Sequence, residues 1–313
     1  MAPRKTAVVS VAAIRTPRKG LTRYLFHQRQ QIFTLDAGRR EDAARLKAAL
    51  ADGQPLKVAF DARRRTVQRI ETPTVGEVEA FARLRVPPEV RGWTKSIDLS
   101  KVDPTTFNIV DHYLKVPLFK RCTRTIPNYK KAKEIFDFCA KQSCHLGGPY
   151  DISPCIPFQY VIDGCFARAH KMRKIITTRY RYCCEKVFSF ATDNNDELAV
   201  KADKWGGCCV TWWFHVAPLV RVRVRAGGAR GCRVALAMVI DPSMFDKPVL
   251  LSTWLSAQEN PACSANARVS KYSIQTGSAY WPTNGAGTTF GTDPSYTDTD
   301  ATLNDYHNAV TCP

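Results

Sequence analysis

The chain has 313 residues, 44% of them hydrophobic, and a formal net charge of +18. That length supports a substantial core in one or two domains. No apolar stretch approaches the roughly 20 residues that a membrane-spanning helix requires, which argues against a membrane protein.

The N-terminus, "MAPRKTAVVSVAAIRTPRKG", begins basic and has a short, weakly apolar run from Ala7 to Ile14 before Arg15, Arg18 and Lys19. It reads as an ordered edge or a tail rather than a signal peptide, which we expect to be absent from this chain. "QQIFTL" (Gln30 to Leu35) is strand-like. "EDAARLKAALADG" places Ala43, Leu46 and Leu50 at helical spacing, with acids in its first turn and Gly53 as its stop. "PLKVAFD" and "TVQRIET" read as strands joined across "ARRR", and "TVGEVEAFARLR" as a second helix. From Pro87 to Pro117 the chain is Pro-punctuated and irregular, as a linker draped over a neighbour would be. Beyond it, "YKKAKEIFDFCAKQ" predicts a helix, and Cys144 and Cys155 bound a Gly/Pro-rich loop that a disulfide should close. "CCVTWWFHVAPLVRVRV" reads as a β-rich run whose unbroken alternation puts Val210, Trp212, Phe214 and Val216 on one side and Thr211, Trp213 and His215 on the other. "RVALAMVIDPSMF" gives a buried strand that stops at Asp241. The tail from Gly277 to Asp300 reads as ordered loops around Tyr280-Trp281, and its acids, which match no calcium-loop spacing, as solvated turns.

Charge and cysteine divide the chain near "LFKRCTRTIPNYKK". Residues 1–121 hold 24 Lys+Arg against 12 Asp+Glu and no cysteine, whereas residues 122–313 hold 22 against 16 and all 12 cysteines. Two units are therefore expected, over 1–121 and 122–313. Heavy cysteine use points to an oxidising compartment and disulfides. The vicinal pairs Cys183-Cys184 and Cys208-Cys209 offer four thiolates, but structural zinc sites space their ligands so that a turn can wrap the ion, so no metal is expected.

"IDGCFARAHKMRKII" sets Cys165 after Asp163, a good N-cap, at the start of a helix with Phe166, Ala169, Met172 and Ile176 on one face. Unsatisfied N–H groups and the helix dipole should lower its thiol pKa there. A nucleophilic thiolate also needs a base. His170, five residues on, is turned about 140° away on a helix and reads as a packing residue. His215, in mid-strand among aromatics, is better placed, and Asp241 ends a strand where its carboxylate would meet it. Helix cysteine, strand histidine and next-strand acid follow the chain order of papain-like and transglutaminase-like enzymes.

Together, "PCIPFQYVIDGCFARAHKMRKII", "CCVTWWFHVAPLV" and "VIDPSMF" closely resemble the secreted bacterial protein-glutaminases, over most of residues 133–282. The segment from Gln30 to Thr74 is similar, more loosely, to their inhibitory propeptide. The resemblance implies an α+β fold: a transglutaminase-like or papain-like core, with Cys on a helix and His and Asp on an antiparallel sheet, preceded by a small α+β propeptide domain. It assigns Cys165, His215 and Asp241 as a triad that deamidates glutamine in protein substrates through a thioester, without cofactor or metal. It also implies disulfides, secretion and zymogen activation by a protease, for which Lys120, Arg121 and Arg124 offer basic sites. Gln159, six residues before Cys165, is a candidate oxyanion donor or an ordinary strand-end glutamine. The segment from Ala191 to Gly207 looks longer than usual and belongs to the rim of the cleft. With Cys165 set aside, 11 cysteines remain, so at least one more is free or pairs between chains. A monomer is expected. The same residue types also suit a transglutaminase or a cysteine peptidase, and non-enzymatic readings are a nucleic-acid-binding protein or an inactive disulfide-rich domain. Most of the excess charge lies in the N-terminal unit and no recognition motif accompanies it, so no nucleic-acid partner is expected.

Overall fold

The computed structural model describes residues 5–17, 20–36, 38–84, 95–98, 122–225 and 233–312. The chain opens with β1 (Lys5–Val9), β2 (Val11–Arg15), β3 (Arg23–Phe26) and β4 (Arg29–Phe33), then α1 (Arg40–Asp52), β5 (Leu56–Asp61), β6 (Thr66–Glu71) and α2 (Val75–Leu84). Gly53 takes the left-handed conformation at φ 66 that ends α1. Two three-stranded antiparallel sheets result, in the orders β1-β5-β6 and β2-β3-β4. Their core packs Val9, Phe26, Phe33, Val58 and Phe60 against Leu46 of α1. The expected helices and strands of this region all form, and the run from Ala7 to Ile14 is the ordered edge rather than the tail, because β1 and β2 are each an edge strand of their sheet.

The next strand, β7 (Lys95–Asp98), pairs with a sheet formed by the rest of the chain. The Pro-punctuated stretch is therefore not irregular throughout: part of it supplies an edge strand. There follow α3 (Tyr129–Lys141), α4 (Cys165–Thr178), β8 (Glu185–Phe190), β9 (Leu198–Lys201), β10 (Cys209–Trp212), β11 (Phe214–Arg225), β12 (Arg233–Val239), β13 (Val249–Leu250), α5 (Leu251–Ser256), β14 (Lys271–Gln275), β15 (Ala279–Pro282), β16 (Phe290–Thr292) and α6 (Thr297–Asp305). Asn128 caps α3 by accepting from Lys131 N.

The six-stranded antiparallel sheet runs β13-β12-β11-β8-β14-β7. One face carries α3 and α4, packing Ile135, Phe166, Met172 and Ile176 against Phe188, Val216 and Val222. Leu25 and Ile32 from β3 and β4 complete that same cluster. The other face buries Val187, Ala217, Leu219 and Tyr272 under Trp212 and Trp254. The fold is thus α+β with a cysteine helix on an antiparallel sheet.

Three local expectations change. The alternation along the run from Cys208 does not hold: β10 pairs with β9 while β11 pairs with β8 and β12, and the chain breaks at Trp213. Trp212 and Phe214, expected on one side, consequently enter opposite clusters. The tail is ordered, as expected, but it is more than loops and solvated acids: β15, β16 and the start of α6 form in it, Tyr280, Trp281 and Phe290 are buried, and α6 packs on α4. Within it, Asp293 is buried and accepts from Thr299 N at 2.8 Å, holding the start of α6.

Disulfides join Cys122–Cys183, Cys144–Cys155, Cys208–Cys312 and Cys209–Cys263. The loop bounded by Cys144 and Cys155 closes as expected. Each vicinal pair is split, since Cys208 and Cys209 take different partners and Cys184 stays free while Cys183 is bonded. Among the described residues Cys139, Cys165 and Cys184 are free and buried; Cys232 lies outside them.

Candidate active site

Cys165 is the first residue of α4, His215 the second of β11, and Asp241 follows the end of β12. Central strand β11 connects all three, since it lies against α4 and pairs with β12. Gly164, at φ 78, turns the chain into α4 and is its N-cap. Asp163 is not the cap: its Oδ1 accepts from Gly164 N at 2.9 Å and its Oδ2 faces away toward other partners. Nor is α4 amphipathic, because every residue from Cys165 to Met172 is buried between the sheet and α6. Arg168, itself buried, donates to Tyr160 O and Asp163 O at 2.6 Å each and ties the entry loop to the helix.

His215 Nε2 donates to Asp241 Oδ2 at 2.9 Å. The imidazole is sandwiched by Trp212 at 4.6 Å and Trp254 at 5.3 Å, both nearly parallel to it. Trp254 Nε1 also donates to Asp241 Oδ2 at 3.0 Å, and Ser243 N to Oδ1 at 3.2 Å. Burial alone would raise the Asp241 pKa, but the hydrogen bonds from His215 and Trp254 outweigh it and hold the carboxylate below its usual value. Nδ1 of His215 has no hydrogen-bond partner among the described residues. A buried imidazole is thus paired with an ionised carboxylate on the strand that packs against the helix opened by Cys165.

The Cys165 thiol differs from expectation. Burial pushes its pKa up, with Arg168 and the Val216 N–H opposing only in part. Its position at a helix start is as expected, but the N-terminal region covers it and leaves it 1% exposed. Desolvation of the thiolate outweighs the helix dipole.

What covers it is β4. Cys165 N donates to Oε1 of Gln30 at 3.0 Å, and Gln30 Nε2 donates to Val161 O at 3.1 Å. Backbone bonds align the segment: Trp213 N to Gln30 O at 2.8 Å, Trp213 Nε1 to Arg29 O at 2.7 Å, and Gln30 N to Asp163 Oδ1 at 3.3 Å. The break at Trp213 frees its N–H for this contact. A glutamine carboxamide therefore rests with its carbonyl on the helix-start N–H next to the thiol. Sequence reasoning missed Gln30 and the roles of Asp163 and Trp254. Gln30 carried only the weak signal of lying in a propeptide-like segment.

Gln159 donates its amide to His307 O at 2.8 Å and turns to the C-terminal segment rather than to Cys165. His170 is a packing residue, as read: its Nδ1 accepts from Lys186 Nζ at 2.7 Å and its Nε2 donates to Asp293 O at 3.0 Å. Among the described residues the one group with metal-ligand spacing is Cys144, Cys155 and His307. Its two sulfurs are spent in a disulfide. The segment from Ala191 to Gly207 holds the covering region through Arg15 Nη1 on Asp193 O at 3.1 Å and Arg23 Nη1 on Asn195 O at 3.0 Å.

A family model described as glutaminase matches residues 132–258. No curated protein sequence matches the chain. A crystal structure of pro-protein-glutaminase aligns over 99% of this chain and 95% of that one, at 24% identity and a TM-score of 0.70. The A47Q2 mutant of pro-protein-glutaminase aligns over 98% and 95%, at 26% identity and 0.70. The NMR structure of protein-glutaminase from Chryseobacterium proteolyticum covers 61% of this chain and 92% of that chain, at 33% identity and a TM-score of 0.51. With a cysteine helix on an antiparallel sheet, a buried His–Asp pair and this likeness along nearly its whole length, the chain belongs to the protein-glutaminase family and has the architecture of its pro form.

Proposed function

We propose that the chain is a latent protein-glutaminase, with residues 1–121 as the inhibitory propeptide and 122–313 as the catalytic domain, and that Cys165, His215 and Asp241 are its triad. The observation that carries this reading is the Gln30 carboxamide hydrogen-bonded to Cys165 N beside the thiol. A site that holds a glutamine side chain by both ends, at Cys165 N and Val161 O, is built to present that amide for attack.

In the open enzyme a substrate glutamine takes the place of Gln30. His215 accepts the Cys165 proton on Nδ1, the nitrogen not engaged by Asp241. The sulfur attacks the carboxamide carbon, and Cys165 N–H stabilises the oxyanion. His215 returns the proton to the departing nitrogen, the C–N bond breaks, and ammonia leaves a thioester. His215 then takes a proton from water, whose oxygen attacks the thioester; the C–S bond breaks, His215 returns the proton to the Cys165 sulfur, and the acid left on the protein ionises to glutamate. Asp241 fixes the tautomer and stabilises the imidazolium. No step calls on a cofactor.

In the intact chain the packing that presents Gln30 also leaves Gln30, Cys165 and His215 at 0–1% exposure. The water of the second half-reaction and any external substrate are both excluded. Linkage to the enzyme gives the covering segment a high effective concentration. Four disulfides within 122–312 let the catalytic part outlive removal of the first, cysteine-free unit, and they suit a secreted enzyme. Of the three basic candidates for the activating cut, Lys120 and Arg121 lie outside the described residues. Arg124 is exposed, but Thr123 bridges to Tyr182, Ile126 bridges to Val222, and Cys122 is bonded to Cys183. Since a protease needs a segment that can be freed, cleavage before Cys122 is favoured over Arg124.

The test is ammonia release from a glutamine-containing protein, measured before and after limited trypsin treatment. A rise as the first unit disappears, with glutamate formed and neither crosslinks nor chain scission, supports hydrolytic deamidation. Crosslinks indicate a transglutaminase and scission a peptidase. Full activity of the uncut chain overturns latency.

A further inference from the structure

We propose that Asp163, with Tyr306, forms a subsite that selects a basic residue immediately before the target glutamine. This rests on the reading of β4 as a substrate-like occupant of the cleft. The backbone contacts of Arg29 and Gln30, to Trp213 and to Asp163 Oδ1, are open to any residue at the preceding position. The Arg29 side chain is what reads sequence. Its Nη1 lies 2.6 Å from Asp163 Oδ2, a carboxylate only 4% exposed, and it also donates to the Tyr306 hydroxyl. Tyr306 OH in turn donates to Asp163 Oδ2 at 2.8 Å. The Tyr306 ring is backed by Tyr160 at 4.6 Å.

Asp163, Tyr160 and Tyr306 all lie beyond the first unit and stay when it departs. What departs is the cation. The carboxylate then keeps Gly164 N on Oδ1, Tyr306 on Oδ2 and the Arg168 guanidinium nearby on the Asp163 carbonyl, but has lost its ion-pair partner. A cavity of ≈ 140 Å³ lies beside the Arg29 side chain, between Phe33 and Phe60 of the first unit and Tyr160, Ile162, Asp163 and Thr311; the latter walls remain when the first unit leaves, and the space that Arg29 fills is then open to another long side chain. An arginine or lysine before the glutamine restores the pair, a neutral residue leaves it empty, and a glutamate brings two carboxylates together.

Trimmed enzyme, freed of trypsin, is assayed for ammonia release on three capped peptides that differ only before the glutamine: Gly-Arg-Gln-Gly, Gly-Ala-Gln-Gly and Gly-Glu-Gln-Gly. The expected kcat/KM order is Arg, Ala, Glu, with the Arg peptide above the Ala peptide by about 10- to 100-fold and the gap narrowing at high salt. In Asp163→Asn, which keeps an oxygen for Gly164 N, the Arg-to-Ala ratio should fall to near one whatever happens to the absolute rates. The wild-type comparison and its salt dependence decide the matter even if that variant fails to fold. Equal rates on all three peptides, or an Arg preference that survives Asp163→Asn, overturn the subsite and leave deamidation standing. No ammonia from these peptides or from an intact protein overturns both.

Discussion

Replacing Gln30 by Glu probes the lock with the smallest change of shape. One carboxylate oxygen can still accept from Cys165 N, where Gln30 Oε1 now sits at 3.0 Å. The other takes the place of Nε2 and faces Val161 O at 3.1 Å, so a donor–acceptor pair becomes two acceptors. Losing that buried bond and leaving its partner unsatisfied costs about 1–3 kcal/mol. The new charge, at a residue with 0% exposure and near Asp163, adds to it. Each ~1.4 kcal/mol shifts the closed-to-open equilibrium tenfold, so the uncut variant should be active about 10- to 100-fold above the uncut parent. The assay is ammonia release from a glutamine-containing protein by uncut chains, followed by trypsin treatment of both. After trimming the two must converge, because neither retains residue 30. An uncut Gln30→Glu chain as latent as the parent, with an unchanged Tm, would refute the placement of this amide as the lock.

Cys165→Ala should abolish ammonia release by trimmed enzyme while leaving the four disulfides intact by peptide mapping, and His215→Ala should do nearly the same. Asp241→Asn keeps an oxygen for Ser243 N but presents an amide to the imidazole; a fall in kcat of about 10³- to 10⁴-fold is expected from the wrong tautomer, and an unimpaired rate would remove Asp241 from the mechanism. Burial and the neighbouring Lys186 depress the His170 pKa to about 2, so the native fold refuses a proton that the unfolded chain accepts below about 6.5. The stability it contributes is present above that pH and is lost as pH falls, by about 1.4 kcal/mol per unit. His170→Asn, which never charges, should flatten that part of a denaturant-measured stability profile between pH 6.5 and 4, and an unchanged slope would show that His170 is not its source.

Much of the chain could be read locally. The spacing of Ala43, Leu46 and Leu50 ends at Gly53 as α1 does, and the strands flanking "ARRR" form where their composition predicts. The order of Cys165, His215 and Asp241 along the chain anticipated a helix and two neighbouring strands, because each depends on residues within a few positions of it. The absence of cysteine before Cys122 already set that stretch apart from the remainder, which holds four disulfides among the described residues. What only the tertiary structure decided involves distant partners. Periodicity across Trp212 and Trp213 predicted unbroken alternation, but two sheets compete for that run, and the break between them frees the Trp213 N–H for Gln30. The helix dipole at Cys165 is a local property and argued for a lowered pKa, whereas desolvation depends on whatever lies on top of the thiol. Here that is Gln30, 135 residues earlier in the chain, and burial by so remote a segment outweighs anything the neighbours of Cys165 encode.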